Sequence, residues 1–368
     1  MLRRVARYQP GPSDGPSNTP SFGPQNSAII PSAMSFTLIA VIIVGAVLGR
    51  LAAGWAAQVL YDIRSTNLAC CLQCQTACTA MQRWCGLGVI RCGQCGNRWS
   101  ACWPLASSLV LTSVFAGYAW LLTVQDCQYV AEVQPATEMH LLRMPFHLAF
   151  LFLLTVATLT DLLDYVIPDE VIIVGVLIAV IGATVSGDLQ IIHIWVNWDA
   201  QIPGMQGPYL PDWIKHHQHL HGLAWSLAGM IGGASFVWFV RIISSGILGQ
   251  AAMGFGDVAL MAMIGAFIGW QPALCAITIA PVTAIVVGLV VRVTAGRSFV
   301  AFGPYLAVSA VIVLCTWRWI WAEPLLIRDV FSHWPSVLGL VGGALAALAI
   351  LLGGLRMFLA MPTDTMRR

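Results

Sequence analysis

Apolar runs of roughly 18 residues or more recur from about Ser35 to Leu359, and a run of that length is long enough to cross a bilayer as a helix. Only 9% of the 368 residues are charged, 58% are hydrophobic, and the mean hydropathy is +0.79. A soluble chain would carry roughly a quarter charged residues, so these runs cannot all be the core of a water-soluble fold. Strands of a membrane barrel alternate in polarity, and these runs do not. The expected fold is therefore all-α: a polytopic helical membrane protein with 8–9 transmembrane helices. A net charge of +2 with a single lysine, Lys215, offers no basic surface for nucleic acid.

Nine spans are expected, at about 35–57, 104–124, 146–163, 169–186, 222–247, 257–269, 272–293, 299–321 and 334–359. Residues 1–34 are rich in Pro, Ser, Gly and Asn and read as a disordered tail. Residues 58–103 read as a small cytoplasmic module, 104–321 as the transmembrane core, and 322–368 as an additional helix and tail. Arginines set the orientation. The 58–103 segment carries Arg64, Arg83, Arg91 and Arg98 against Asp62, whereas the 125–145 loop carries Asp126, Glu132 and Glu138 against Arg143. Placing 58–103 inside also brings Arg241, Arg292, Arg297, Arg356, Arg367 and Arg368 inside, and leaves Arg3, Arg4 and Arg7 outside. The 187–221 segment is then the longest outer loop. It holds Trp195, Trp198 and Trp213 as interface anchors, and His216, His217, His219 and His221 without a carboxylate or cysteine at metal-ligand spacing.

Eight of the eleven cysteines fall between positions 70 and 102. Cys71-Leu-Gln-Cys74 and Cys92-Gly-Gln-Cys95 form two C-x-x-C pairs separated by 17 residues, a spacing that lets two tight turns close on one tetrahedral zinc ion. Such a metal would be structural and would fold a loop too small to bury its own core. Cys70, Cys78, Cys85 and Cys102 are close enough to substitute as ligands. An inside location disfavours disulfides.

Two aspartates stand where apolar segments meet polar turns. Asp161 lies in Thr160-Asp-Leu-Leu-Asp-Tyr-Val-Ile-Pro-Asp169, and Asp257 closes Gly254-Phe-Gly-Asp257. Each stretch alone reads as an ordinary helix boundary, with Pro168 and Asp169 in a first turn and Asp257 near a helix start. Together they lie on one membrane face, and an ionisable group at membrane depth is by default a functional candidate. Gly254 and Gly256 permit close backbone approach beside Asp257. Two carboxylates within about 3–5 Å hold one proton between them, so that one activates water while the other polarises a carbonyl.

The chain resembles the type IV prepilin peptidases, membrane aspartic peptidases of the leader-peptidase class. Their first motif places an aspartate seven residues before a proline, as Asp161 stands before Pro168, and another acid follows as at Asp169. Their second is G-x-G-D, matched by Gly254, Gly256 and Asp257, and the run Met261–Trp270 looks like the helix after it. Phe302-Gly-Pro-Tyr-Leu-Ala307 is similar to the family's F-G-P-F-L-A segment, and the tetracysteine module sits between the first two spans with Pro104-Leu105 after it. The resemblance covers about residues 35–321. It implies that Asp161 and Asp257 are the catalytic pair of an endopeptidase in the bacterial cytoplasmic (inner) membrane. Its substrates would be the precursors of prepilins or type II secretion pseudopilins, cut after a glycine at the end of a short basic leader. It also implies N-methylation of the product with S-adenosylmethionine, where that activity is retained. The chain departs from the pattern at Ala259, where the family has lysine, and at Ser107 and Ser108, where it has glutamate.

Three other readings compete. A presenilin-type intramembrane peptidase shares G-x-G-D, but Pro272-Ala273-Leu274 follows Asp257 too closely to lie on the separate helix that family requires. A transporter or channel could use the two acids for a cation or for protons, although no inverted repeat is visible. An inactive scaffold of the secretion machinery would keep the fold without the chemistry.

Overall fold

The computed structural model describes residues 30–64, 89–92, 94–96, 98–100, 103–130, 132–133, 137–196, 211–250, 253–295, 301–322 and 325–359. The apolar runs become α1 (Ile30–Arg64), α2 (Trp103–Val124), α3 (Thr137–Asp164), α4 (Asp169–Ser186), α6 (Gln218–Leu248), α7 (Phe255–Ile268), α8 (Trp270–Ala295), α9 (Gly303–Ala322) and α11 (Trp334–Leu359). Two short helices, α5 (Asp212–His216) and α10 (Leu325–Ser332), lie between them. Seven of these helices are long and apolar enough to cross a membrane, while Phe255–Ile268 and the apolar part of α8, Trp270–Val286, are shorter. The chain is thus a multi-pass helical protein, with the expected sixth and seventh spans as the short ones.

Several boundaries move. α1 begins at Ile30, inside the stretch expected to be disordered, and runs on to Arg64; residues 1–29 lie outside the described ones. α3 begins at Thr137, so Arg143 is not a loop residue: it sits inside the helix and is 1% exposed. Helix geometry satisfies each backbone group internally, so a helix extends past its apolar run wherever neighbours can accept its polar side chains.

α7 is apolar on every side and is buried accordingly, with Leu260, Met261, Met263, Ile264, Ala266, Phe267 and Ile268 all inside. It packs on α6, α4, α9 and α3. Bare backbone makes the closest of these contacts possible. A Cβ on Gly229 of α6 would strike the Gly265 carbonyl, a Cβ on Gly265 would strike that of Gly229, and Gly175 of α4 gives the same room to Met263. In lipid no solvent drives helices together, so association depends on such close packing. α1 and α2 join similarly: Gly49 lies against Ser108, and the hydroxyls of Ser107 and Ser108 donate to the carbonyls of Gly49 (2.9 Å) and Ala46 (2.7 Å). The two serines that depart from the family pattern therefore bind one helix to the other. In contrast, none of the apolar window of α11 is buried; the helix touches α6 and α10, and Arg356 donates to Ile247 O at 2.6 Å.

Polar side chains knit the end formed by the α2–α3 connection, residues 187–196 and the starts of α6 and α8. Arg143 donates to Gln190 O, the Ile194 N–H donates to His221 Nε2 (3.2 Å), and Trp270 donates to Ile194 O (2.8 Å). Gln271 reaches His193 O (3.0 Å), and Trp321 reaches a Glu132 carboxylate oxygen (2.9 Å).

Gly265→Leu should force α7 away from α6, an overpacking cost of at least about 1–3 kcal/mol. The expected outcome is a sharp loss of monodisperse protein on size-exclusion chromatography, whereas Gly117→Leu, where nothing lies within 4 Å, leaves the yield unchanged.

Candidate functional site

Three helix ends meet away from the knitted end: the C-terminus of α3, the N-terminus of α7 and the N-terminus of α9. α3 ends in Asp161-Leu-Leu-Asp164, and the chain turns through Tyr165, at φ 55, with its N–H on Asp161 O at 3.0 Å. α7 starts after Gly254 without a side-chain cap, which puts Asp257 in its first turn. Both carboxylate residues are nearly covered, Asp161 at 6% exposure and Asp257 at 8%.

Asp161 and Asp257 line one cleft of about 580 Å³, together with Tyr165, Val166, Ile167, Met253, Gly254, Phe255, Gly256, Ala301 and Phe302. The Gly303 N–H, at the start of α9, donates to the Asp161 carboxylate, while Asp161 Oδ2 is buried without a partner. A Cβ on Gly303 would strike that Oδ2, and one on Gly256 would press Ile167 at 3.1 Å. Both glycines therefore let an acid or its neighbouring turn approach closely. An amide donor at a helix N-terminus favours negative charge on Asp161. A buried pair of acids on one cleft, one of them held by an amide, is suited to passing a proton to and from water.

The other residues singled out in the sequence fall elsewhere. Pro168 is buried ahead of α4, and Asp169 and Glu170 are exposed in its first turn, so none of them lines the cleft. They form a helix start. Ala259, at the family's lysine position, packs partly buried against the hydrophobic core. Tyr165, Ile167, Phe255, Phe302 and Gly303 were not singled out as site residues; only the spelling of Phe302-Gly-Pro-Tyr-Leu-Ala307 pointed towards the last two.

The outer histidines do not converge on a metal. His216 donates to Asp212 O (2.8 Å), His219 to Thr184 O (2.9 Å) and His193 to Glu132 O (3.0 Å). Burial pulls His193 down to about 4, which keeps it neutral, and pushes the Cys127 thiol up to about 12, which keeps it inert. Among the described residues no three His, Cys, Asp or Glu side chains are grouped to hold a metal.

Of the cysteine module, Cys71 and Cys74 lie outside the described residues. Cys92 and Cys95 stand in the turn of an antiparallel hairpin, β1 (Val89–Arg91) with β2 (Arg98–Ser100), where Gly96 at φ 70 donates to Cys92 O at 3.1 Å. A tight C-x-x-C-G turn on a hairpin can present two thiolates to one ion, so this half of the module fits zinc.

Residues 209–289 match the profile of the type IV leader peptidase family. A protein of Neisseria gonorrhoeae named prepilin leader peptidase/N-methyltransferase is 32% identical over 124 residues, covering 31% of this chain and 43% of that protein. Proteins of the same name from Pseudomonas putida and Legionella pneumophila are 26% and 22% identical, each match covering 61% of this chain and 62% of the relative. The chain thus spans about half the length of the curated relatives it matches. No solved structure matches. These matches are to the same family that the motifs of the chain resemble.

Gly303→Ala should displace the Asp161 carboxylate. We expect a lower thermal unfolding midpoint in detergent, with Gly343→Ala, which meets nothing within 4 Å, as the unchanged reference.

Proposed function

We propose that the chain is a membrane aspartic endopeptidase that removes the basic leader of prepilins or of type II secretion pseudopilins at the cytoplasmic face of the inner membrane. The single observation that carries this reading is the joint placement of Asp161 and Asp257 on one cleft, from helices almost a hundred positions apart in a chain whose relatives are named prepilin leader peptidases.

In the mechanism we infer, the two carboxylates hold one proton. The ionised partner takes a proton from water as its oxygen attacks the scissile carbonyl. The protonated partner gives its proton to the carbonyl oxygen; the partner that took a proton from water then passes it to the leaving amine as the C–N bond breaks, and the first partner takes a proton back from the gem-diol as the product carboxyl forms. The Gly303 amide makes Asp161 the partner better suited to carry the negative charge, since its N–H stabilises a carboxylate. Asp257, on an uncapped helix start beside Gly254 and Gly256, is then the proton donor. Tyr165, Phe255 and Phe302 give the cleft an aromatic wall suited to an apolar segment beyond the cut.

The reading rests on cleavage. The relatives' names also include N-methyltransferase, an activity that S-adenosylmethionine would serve where it is retained, and Ser107 and Ser108 offer no carboxylate where the family pattern has glutamate. Cys71, Cys74, Cys92 and Cys95 are proposed to hold one structural zinc that folds the 58–103 module and touches no step of the reaction.

Asp161→Asn and Asp257→Asn should each lower processing of a co-expressed prepilin by at least about 100-fold, the usual worth of a positioned acid or base, with membrane protein levels unchanged. Processing retained in both variants removes the proposal. Purified protein should contain about one zinc per chain, falling in the double variant Cys92→Ser/Cys95→Ser; an unchanged metal content places the ion elsewhere.

A further inference from the structure

The family pattern puts a lysine two residues after the second aspartate, and this chain has Ala259 there, packed towards the core. The turn that carries the second motif is instead gripped from outside α7. Arg241, on α6, donates through Nε to Met253 O at 3.1 Å, and its guanidinium carbon lies 5.8 Å from the centroid of the Phe255 ring. Met253 and Phe255 flank Gly254 and both line the cleft. One planar side chain thus fixes a backbone carbonyl on one side of the first motif glycine and an aromatic ring on the other. A guanidinium suits this, because it donates in its plane while its face lies over a ring.

α6 itself is well placed to give the grip a rigid base. Gly229, three turns earlier, is locked against Gly265 of α7, and Ile247, two turns later, accepts from Arg356 of α11. The start of α7 has no side-chain cap of its own, so its position relative to α3 and α9 depends on what holds residues 253–255.

We propose that Arg241 is a positioning residue for Asp257: it clamps the turn before α7 so that this carboxyl stays on the cleft it shares with Asp161. The effect on cleavage rests on the peptidase reading; the clamp itself does not.

The full chain provides its own control. Arg318 makes the same pair of contacts at the opposite end, donating to Gln125 O at 3.0 Å and lying 5.9 Å from the Tyr129 ring centroid. Arg241→Met, Arg241→Lys and Arg318→Met would be purified in detergent. Amide hydrogen exchange across 249–258 would be measured beside steady-state cleavage of a purified prepilin. Arg241→Met should speed exchange in that segment about tenfold or more and lower kcat about tenfold or more, with KM within about threefold, since small misplacements of reacting groups act on the chemical step. Arg241→Lys, which keeps a cation but loses the planar group that bonds the carbonyl and covers the ring together, should recover only a small part of both. Arg318→Met should change neither.

Unchanged exchange in Arg241→Met overturns the clamp. Faster exchange with kcat within twofold of the parent overturns the positioning role, as does an equal fall of kcat in Arg318→Met. If the parent protein cleaves no prepilin, the peptidase reading falls, and exchange alone decides the clamp. If Arg241→Met does not fold, Phe255→Leu, which removes only the ring beneath the guanidinium, must loosen the same segment; unchanged exchange there overturns the proposal.

Discussion

The bundle depends on α6 and α7 meeting backbone to backbone at Gly229 and Gly265. α7 is too short to be held by both membrane surfaces, so it is located mainly by packing along its length, helped by Ser226 Oγ donating to Ala266 O at 2.9 Å and by the Arg241 contacts at its start. Dispersion contacts are individually weak and fall off steeply with separation, which makes the missing side chains at these two positions decisive. Once α7 is set against α6, Met263 fills the space that Gly175 leaves on α4, and the start of α7 arrives beside the end of α3. The placement of Asp257 is therefore a consequence of contacts deep in the apolar layer.

Both ends of the bundle bury polar groups. At the knitted end, buried Arg143, His147, Gln190, His221 and Gln271 are tied mainly to backbone carbonyls, amides and one another. Some of their atoms, among them Arg143 Nε, His147 Nε2, Gln190 Oε1 and Gln271 Oε1, still have no protein partner, as is true of Asp161 Oδ2 at the cleft end. Each such atom costs stability unless a ligand or water completes it. What sets the cleft end apart is that its unpartnered atom belongs to a carboxylate on an open cleft.

Much of this was legible in the sequence. The spans were readable because a helix in lipid needs a long apolar run, and α11 appears at the expected residues, 334–359. The two acids stood out because carboxylates are rare in such runs. Arg143 was misread as a loop residue because an arginine normally ends an apolar segment; nothing local reveals that Gln190, 47 residues away, accepts from it. Gly303 and Arg241 were missed for the same reason. A glycine in Phe-Gly-Pro and an arginine near a helix end have ordinary local explanations, and their partners, Asp161 and Met253, come only with the tertiary fold. The cysteine module remains half legible, since the hairpin turn at Cys92 and Cys95 is described and its partner pair is not.

α7 spans 14 residues, about 21 Å of helix, against a hydrocarbon layer of about 30 Å. Its neighbours wall α7 off from lipid, with no residue from Asp257 to Ile268 exposed, so the shortfall is taken up inside the protein. It leaves a recess at the start of α7, where the cleft lined by Asp161 and Asp257 lies. A short helix enclosed by longer ones can thus sink an acid pair below the membrane surface while leaving it within reach of water.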